Sequence, residues 1–182
     1  MINLKKIIYL IITALICFGC ANNTARSTVD NYMKKYKTLD SEVLVDLENT
    51  IKNENLTNEQ ENKYRDILKK QYKDLTFNIL EEEYDDEVSY VTVKIEVYNL
   101  YKVQSDSLIY LENNPQEFYD NNNNYDINKY IDYKLDKMKN TTERVNYIIT
   151  FTVTKEDNKY VIENLTNDDL KKIHGIYNYE LS

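Results

Sequence analysis

Residues 88–98 read VSYVTVKIEVY, and apolar and polar side chains alternate along the whole segment. Four aliphatic residues share one side of it: Val91, Val93, Ile95 and Val97. The other side carries polar and aromatic residues: Tyr90, Thr92, Lys94, Glu96 and Tyr98. This period of two predicts a long β-strand that packs one face on helices and keeps an amphipathic opposite face.

A second segment with the same period, residues 145–153 (VNYIITFTV), predicts a second long strand. Each long strand has a shorter neighbour in the sequence. Residues 75–79 alternate before the first one, and the acidic residues 81–87 are expected to form the turn between them. After the second, residues 156–159 predict a turn into a short strand that holds Tyr160. The two hairpins predict a mainly antiparallel sheet of about four strands.

Helical periodicity precedes the first hairpin. Apolar residues at i, i+3, i+4 and i+7 spacing predict three helices, which begin near Ser27, near Ser41 and just after Thr57. A capping box between Ser27 and Asp30 is expected to start the first helix, and a box between Thr57 and Gln60 the third.

Further helices are predicted between and after the hairpins. The apolar stripe of residues 127–138 indicates a helix capped by Asp126. Residues 104–126 show little pattern, although Pro115 suits the first position of a short helix. A last helical turn or two begins at Asn167, and Gly175 fits the position just after its end. The chain is therefore expected to be α+β, with N-terminal helices packed on one face of a curved sheet.

The first twenty residues have the features of an export signal. Lys5 and Lys6 precede an apolar run, residues 7–18, which is shorter than the roughly 20 residues of a membrane-spanning helix. Gly19 and Cys20 follow, and the pattern resembles a bacterial lipoprotein signal, although the residues preceding Gly19 depart from the usual motif. An uncleaved anchor helix and a secretory signal cut elsewhere remain alternatives.

The lipoprotein resemblance implies cleavage between Gly19 and Cys20 and acylation of Cys20, for example with palmitate. Residues 1–19 would then be the signal peptide, residues 20–26 a lipidated tether and residues 27–182 a single α+β domain. Membrane lipid would be a partner through the acylated N-terminus, at the outer face of the bacterial membrane.

A second resemblance extends over roughly residues 27–175. The helix that opens with residues 27–32 (STVDNY) and the closing segment 154–165 (TKEDNKYVIENL) are similar to small bacterial lipoproteins with a nuclear-transport-factor-like, cystatin-like α+β domain. Asn158 stands where that family often has Gly, and Tyr160 where it often has Trp. The resemblance implies a cone-shaped domain with room for a pocket, and no single activity.

Charge and composition exclude several classes of function. Without residues 1–19 the chain has 21 basic and 31 acidic residues, a formal charge of −10, which argues against binding to nucleic acid. Cys17 and Cys20 both lie in the signal, so the remaining domain has no disulfide. Gly175 is its one glycine, which rules out a glycine-rich phosphate loop, and no cofactor or metal site is predicted.

The candidate site residues are few. Tyr90, Tyr98 and Ile148 lie on the second face of the sheet, where they either line a ligand pocket or pack beneath residues 104–126. His174 is expected to be a cation at the end of the last helix, with a His–carboxylate acid–base pair as the alternative.

Two segments rich in oxygen-bearing side chains are candidates for calcium binding. The acidic segment 81–87 either binds a hard cation or is a solvated turn that keeps the sheet edge from pairing with other chains. Residues 120–126 have carboxylate and amide side chains at alternate positions, but Tyr125 and Ile131 occupy places where an EF-hand needs Gly and Glu.

The sequence therefore predicts a non-catalytic, surface-tethered binding module for a small molecule, a peptide or another envelope protein. The alternatives are an accessory subunit of an envelope complex and, less favoured, an extracytoplasmic hydrolase or isomerase. An enzyme would require a cleft with carboxylates of raised pKa.

Overall fold

The structure is a computed structural model, which describes residues 24–179. The helices of this part are α1 (Ala25–Thr38), α2 (Ser41–Lys52), α3 (Asn58–Asp74), α4 (Leu100–Asn113), α5 (Ile127–Asn140) and α6 (Asn167–His174). A 3₁₀ helix covers Pro115–Phe118. The strands are β1 (Thr76–Asp85), β2 (Val88–Tyr98), β3 (Arg144–Glu156) and β4 (Lys159–Ile162). The predicted α+β class is confirmed, with helices packed on an open sheet of four antiparallel strands.

The sheet has the order β1-β2-β3-β4. The two long central strands pair without a break from Val88↔Thr154 to Tyr98↔Arg144. An unbroken register keeps alternate residues on one face, so the apolar sides of both strands form one continuous surface under the helices. The buried residues of this surface are Val91, Val93, Ile95, Val97, Tyr147, Ile149, Phe151 and Val153.

Helix α1 begins at Ala25, earlier than the capping box predicted between Ser27 and Asp30. The Thr24 hydroxyl accepts a hydrogen bond from the Ser27 backbone N at 3.1 Å, and Ser27 Oγ accepts one from the Thr24 backbone N at 3.0 Å. Ala25 is buried in the core. The tether predicted over residues 20–26 therefore overlaps the first turn of a packed helix. Thr24 caps the helix in place of Ser27, which lies in the first turn and completes the capping box.

The acidic segment 81–87 is mostly strand, so the turn predicted there is wrong. Strand β1 continues to Asp85, and only Asp86 and Glu87 form the turn. A bulge between Ile79 and Glu81 shifts the register within the strand. Pairing along the whole length of β2 outweighs the low strand propensity of Glu and Asp.

Helix α4 occupies part of the segment in which the sequence shows little pattern. Together with α5 it forms a helical hairpin, in which Tyr110 stacks on Tyr133 with ring centroids 4.8 Å apart. The short helix predicted at Pro115 is confirmed as the 3₁₀ helix, and its Phe118 is buried against Tyr133 at 5.5 Å.

The end of α6 docks against the end of β2. Gly175 terminates α6 in the left-handed conformation with φ 72°, as predicted, and its carbonyl accepts a hydrogen bond from Tyr101 N at 2.8 Å. The buried amide of Gln71 in α3 receives a bond from Tyr98 N at 2.8 Å and donates one to Tyr98 O at 3.2 Å. One junction thus joins α3, β2, α4 and α6.

Candidate functional site

The three residues predicted to line a pocket lie on the outer face of the sheet but far apart. Tyr90 and Tyr98 are eight residues apart in β2, a separation of roughly 26 Å at 3.3 Å per residue. Ile148 is paired in register with Lys94, which lies midway between them. Tyr90 is 37% and Ile148 47% exposed. These three side chains therefore do not share one pocket in the described part of the chain, because they are spread along the length of β2 and its partner strand.

Tyr98 is instead a link between α3 and the sheet. Its hydroxyl donates to Asp74 Oδ2 at 2.8 Å. The guanidinium of Arg144 lies 4.5 Å from the ring centroid, and Lys70 Nζ lies 4.6 Å from it. The hydrogen bond to Asp74 and partial burial raise the pKa of Tyr98 above its ordinary value. These contacts make Tyr98 a structural residue rather than a ligand contact.

A groove of about 500 Å³ lies between α2 and α6. Its lining includes Asp46, Thr50, Leu170, Lys171, His174 and Ile176. This groove brings together the histidine of the described residues, a carboxylate and a hydroxyl, which are the groups that acid–base chemistry needs.

His174 is buried at the floor of the groove, with 4% of its surface exposed. Its Nδ1 lies 2.8 Å from the Tyr72 hydroxyl and its Nε2 lies 3.4 Å from Thr50 Oγ1. The Thr50 hydroxyl donates its proton to Asp46 O at 2.9 Å, so Thr50 Oγ1 acts as acceptor toward the imidazole. This network assigns the proton to Nε2 and makes Nδ1 the acceptor of the Tyr72 hydroxyl proton.

Burial lowers the pKa of His174 to about 4. The imidazole is therefore neutral at pH 7, and the predicted cation at the end of the helix is wrong. The neighbouring Ile173 is completely buried, which shows that the last turn of α6 enters the core. The sequence around His174 gives no indication that this side chain is buried, because a single His after an apolar residue occurs equally at exposed positions.

Asp46 is the carboxylate in the groove whose pKa is raised, by desolvation from its neighbours, although its side chain remains exposed. Thr50 is not an activated nucleophile, because its proton bonds the Asp46 carbonyl and not the imidazole. Lys171 forms an ion pair with Asp168 at 3.1 Å. The groove can hold a polar molecule, but its hydroxyl and imidazole are engaged with each other and with the backbone.

The acidic segment 81–87 lies along the outer edge of the sheet. Its six carboxylates, from Glu81 to Glu87, take part in none of the salt bridges between described residues. Within residues 24–179, no group of three or more His, Cys, Asp or Glu side chains is arranged to hold a metal ion. The edge is therefore a row of uncompensated negative charges next to the backbone of β1.

The second oxygen-rich segment uses its carboxylate internally. Asp120 Oδ1 accepts hydrogen bonds from the backbone N atoms of Asn122 and Asn124, each at 2.8 Å. These bonds, the one from Asn124 most of all, lower the pKa of Asp120. The side chain stabilises the turn after the 3₁₀ helix, which is a structural use of the Asn-rich sequence.

The chain matches no protein-family model, no curated protein and no solved structure. None of the helices between residues 24 and 179 is long and apolar enough to span a membrane. Gly19 and Cys20, the predicted cleavage and lipidation residues, lie outside the described residues.

Proposed function

We propose that this protein is a bacterial lipoprotein, anchored through acylated Cys20 to the outer face of the membrane, and that it binds another polypeptide without catalysing a reaction. The N-terminal sequence supports the anchor: Lys5, Lys6, an apolar run of about a dozen residues and the Gly19–Cys20 pair. The membrane contact is then made by acyl chains and not by the acidic domain.

The observation that carries this proposal is the position at which the folded domain begins. Four residues, 21–24, follow Cys20 before the first residue of α1, Ala25, which is already buried. Cys20 and Ala25 are five residue steps apart, and an extended chain spans at most about 3.6 Å per step, so the tether reaches no further than roughly 18 Å. A lipid on Cys20 holds the domain close to the membrane surface, as expected for a module that meets partners in the envelope.

A polypeptide partner is favoured over a small molecule by the way in which the interior is filled. The helices cover the inner face of the sheet with fully buried side chains such as Tyr36, Tyr72 and Phe151. In contrast, α4 presents Leu108 and Ile109 to solvent, 49% and 53% exposed. Apolar side chains on a peripheral helix suit contact with a protein surface. They also suit the alternative role of an accessory subunit.

Metabolic labelling with an alkyne analogue of palmitate tests the anchor. We expect the full-length chain to take up label and Cys20→Ala to take up none, because the thiol that carries the acyl chain is absent. Cys17→Ala is the matched control, since it removes the other cysteine of the signal, and it should label normally. Equal labelling of Cys20→Ala and the wild type would rule out this anchor.

A small extracytoplasmic hydrolase is a second candidate, and the raised pKa of Asp46 beside the α2–α6 groove favours it. Chromogenic esters, phosphates and glycosides, tested with the wild type and with Asp46→Asn, separate the two functions. Turnover that disappears in Asp46→Asn supports the enzyme. Rates equal to the buffer background for both proteins support the binding module.

A further inference from the structure

We infer that the free edge of β1 is a docking site for an extended, basic segment of a partner polypeptide, which adds to the sheet as a further strand. This inference deepens the proposed function: it depends on the protein being a binding module, and it does not depend on the lipid anchor. The hydrogen-bonding capacity of the edge, its charge and the groove beside it each contribute to the argument.

The edge offers unused backbone hydrogen-bonding groups over most of β1, the exception being Ile79 O. Strand β1, residues 76–85, pairs with β2 on one side and has no strand on its other side among the described residues. The Arg26 guanidinium, which donates to Ile79 O at 3.1 Å, is the contact recorded there. About half of the residues in such a strand direct their N–H and C=O groups outward, where an added strand can pair with them.

The charge of the edge selects a basic partner. Glu81, Glu82, Glu83 and Asp85 lie on β1 itself, and Asp86 and Glu87 follow in the turn. None of the nine ion pairs in residues 24–179 involves these six, and no other part of the described chain has six carboxylates within seven consecutive residues. A segment with Lys or Arg at alternate positions supplies the missing cations while its backbone pairs with the strand.

The same charges disfavour the other occupants of a strand edge. Two copies of this chain paired through β1 would place both acidic rows side by side, and like charges directly opposite destabilise such pairs. Nucleic acid is repelled for the same reason. A metal ion lacks a suitable group of ligands among the described residues. A basic polypeptide is the occupant that satisfies both the backbone and the carboxylates.

A groove of about 390 Å³ flanks the first half of the edge. It lies between the first turn of α1 and the start of β1, and its lining includes Arg26, Asp30, Phe77 and Ile79. The half-buried Phe77 provides an apolar contact for an uncharged side chain at this end, with the buried Ile79 behind it, and Arg26 already supplies a positive charge there. The partner segment should therefore be basic opposite residues 81–85 and apolar opposite residues 77–79.

Fluorescence anisotropy with synthetic peptides tests this docking site on the full-length chain in neutral detergent. The probe is a labelled ten-residue peptide with an apolar end and Lys at alternate positions of the other end. Two matched peptides are compared with it: one has Glu in place of Lys, and one keeps the Lys but is N-methylated at alternate backbone nitrogens. We expect the first peptide to bind and each matched peptide to bind at least about tenfold more weakly.

The protein variants complete the test. Glu81→Lys/Glu83→Lys should weaken binding of the basic peptide by about tenfold or more. Asp66→Lys/Glu112→Lys is the control, because it changes the charge equally at exposed positions on α3 and α4, and it should bind like the wild type. Bound peptide should also slow amide hydrogen exchange in residues 76–85.

Three results would each overturn the inference: equal binding of the N-methylated peptide, unchanged binding by Glu81→Lys/Glu83→Lys, or unaltered exchange in residues 76–85. The anchor is judged separately by Cys20 labelling, which involves no peptide. Normal labelling without peptide binding rejects the β1 docking site alone. Peptide binding without labelling rejects the lipid anchor alone.

Discussion

The interior beneath α6 and the outer edge of β1 are both rich in polar groups, but these groups have hydrogen-bond partners in the interior and lack cationic partners at the edge. Among residues 24–179, no buried side-chain nitrogen or oxygen lacks a hydrogen-bond partner. At the β1 edge, six carboxylates between Glu81 and Glu87 have no cationic partner among the described residues. The interior therefore satisfies its polar groups within the chain, whereas the β1 edge has carboxylates that can still pair with cations of another molecule.

Desolvation explains the difference. A polar group in the core loses its water and costs free energy unless a partner replaces it, whereas an exposed carboxylate keeps its water and needs none. Substitutions in the interior should therefore change the free energy of unfolding, and substitutions on the edge should change association.

Gly175→Ala should have the largest effect on stability. A Cβ at this position would lie 2.2 Å from both Tyr98 O and Gln71 Nε2, and φ is 72°. The first contact is with backbone, which cannot move without disturbing the junction of β2 with α3 and α4. We expect the free energy of unfolding, measured by urea denaturation, to fall by about 4 kcal/mol.

The control for this substitution is Asn158→Gly in the β3–β4 turn, where φ is 65°. Glycine adopts this conformation without strain, so stability should change by less than about 1 kcal/mol. If Gly175→Ala costs no more than Asn158→Gly, the junction is not packed as described.

Acidification should weaken the interior through His174. Its pKa is lowered to about 4 in the folded protein, below the ordinary value of 6.5, so the neutral form is favoured by folding. The resulting stability is fully present above pH 6.5 and is lost as pH falls through the window from 6.5 to 4. At about 1.4 kcal/mol per pKa unit, the loss approaches about 3 kcal/mol.

Urea denaturation of the wild type and of His174→Asn at several pH values checks this expectation. The variant cannot titrate in this window, so its stability should fall less steeply. Asp46 has a raised pKa, which favours the folded state on acidification and acts in the opposite direction, but it is common to both proteins. Parallel pH profiles for the two proteins would mean that His174 does not titrate as proposed.

The contrast also shows which features could be predicted from the sequence. Strands β2 and β3 were predictable because apolar residues at every second position over nine or more residues indicate a strand with one buried face. Asn158 was predictable as a turn residue, because Asn adopts positive φ more readily than most residues, and its φ is 65°. Gly175 was predictable for a similar reason. Local backbone conformation determines the residue type at the two turn positions, and the single buried face determines the pattern of the two strands.

Other features depend on tertiary contacts. Strand β1 continues through an acidic segment because β2 offers it a partner, and nothing local indicates this. Helix α4 lacks a clear stripe since Ser107 occupies a buried position, where its hydroxyl donates to Val103 O at 2.7 Å. The burial of His174 depends on Tyr72 and Thr50, which are 102 and 124 residues away in the chain.

Neutralising the edge should have the smallest effect on stability. Glu81→Gln/Glu83→Gln keeps the shape of both side chains and removes two charges that have no salt-bridge partner among the described residues. We expect the free energy of unfolding to change by no more than about 0.5 kcal/mol. Self-association should increase, because the repulsion between two strand edges is reduced when two of the six carboxylates are removed.

Light scattering coupled to size-exclusion chromatography, over a range of protein concentrations, measures this association. Asp66→Asn/Glu112→Gln removes the same net charge from α3 and α4, away from the sheet edge, and should leave the oligomeric state unchanged. If both double variants associate equally, the net charge of the protein, and not the position of the carboxylates, prevents association of the monomers. If only the edge variant associates, the carboxylates of β1 prevent its free backbone groups from pairing with another strand. The polar groups of the interior, in contrast, already have partners within the chain.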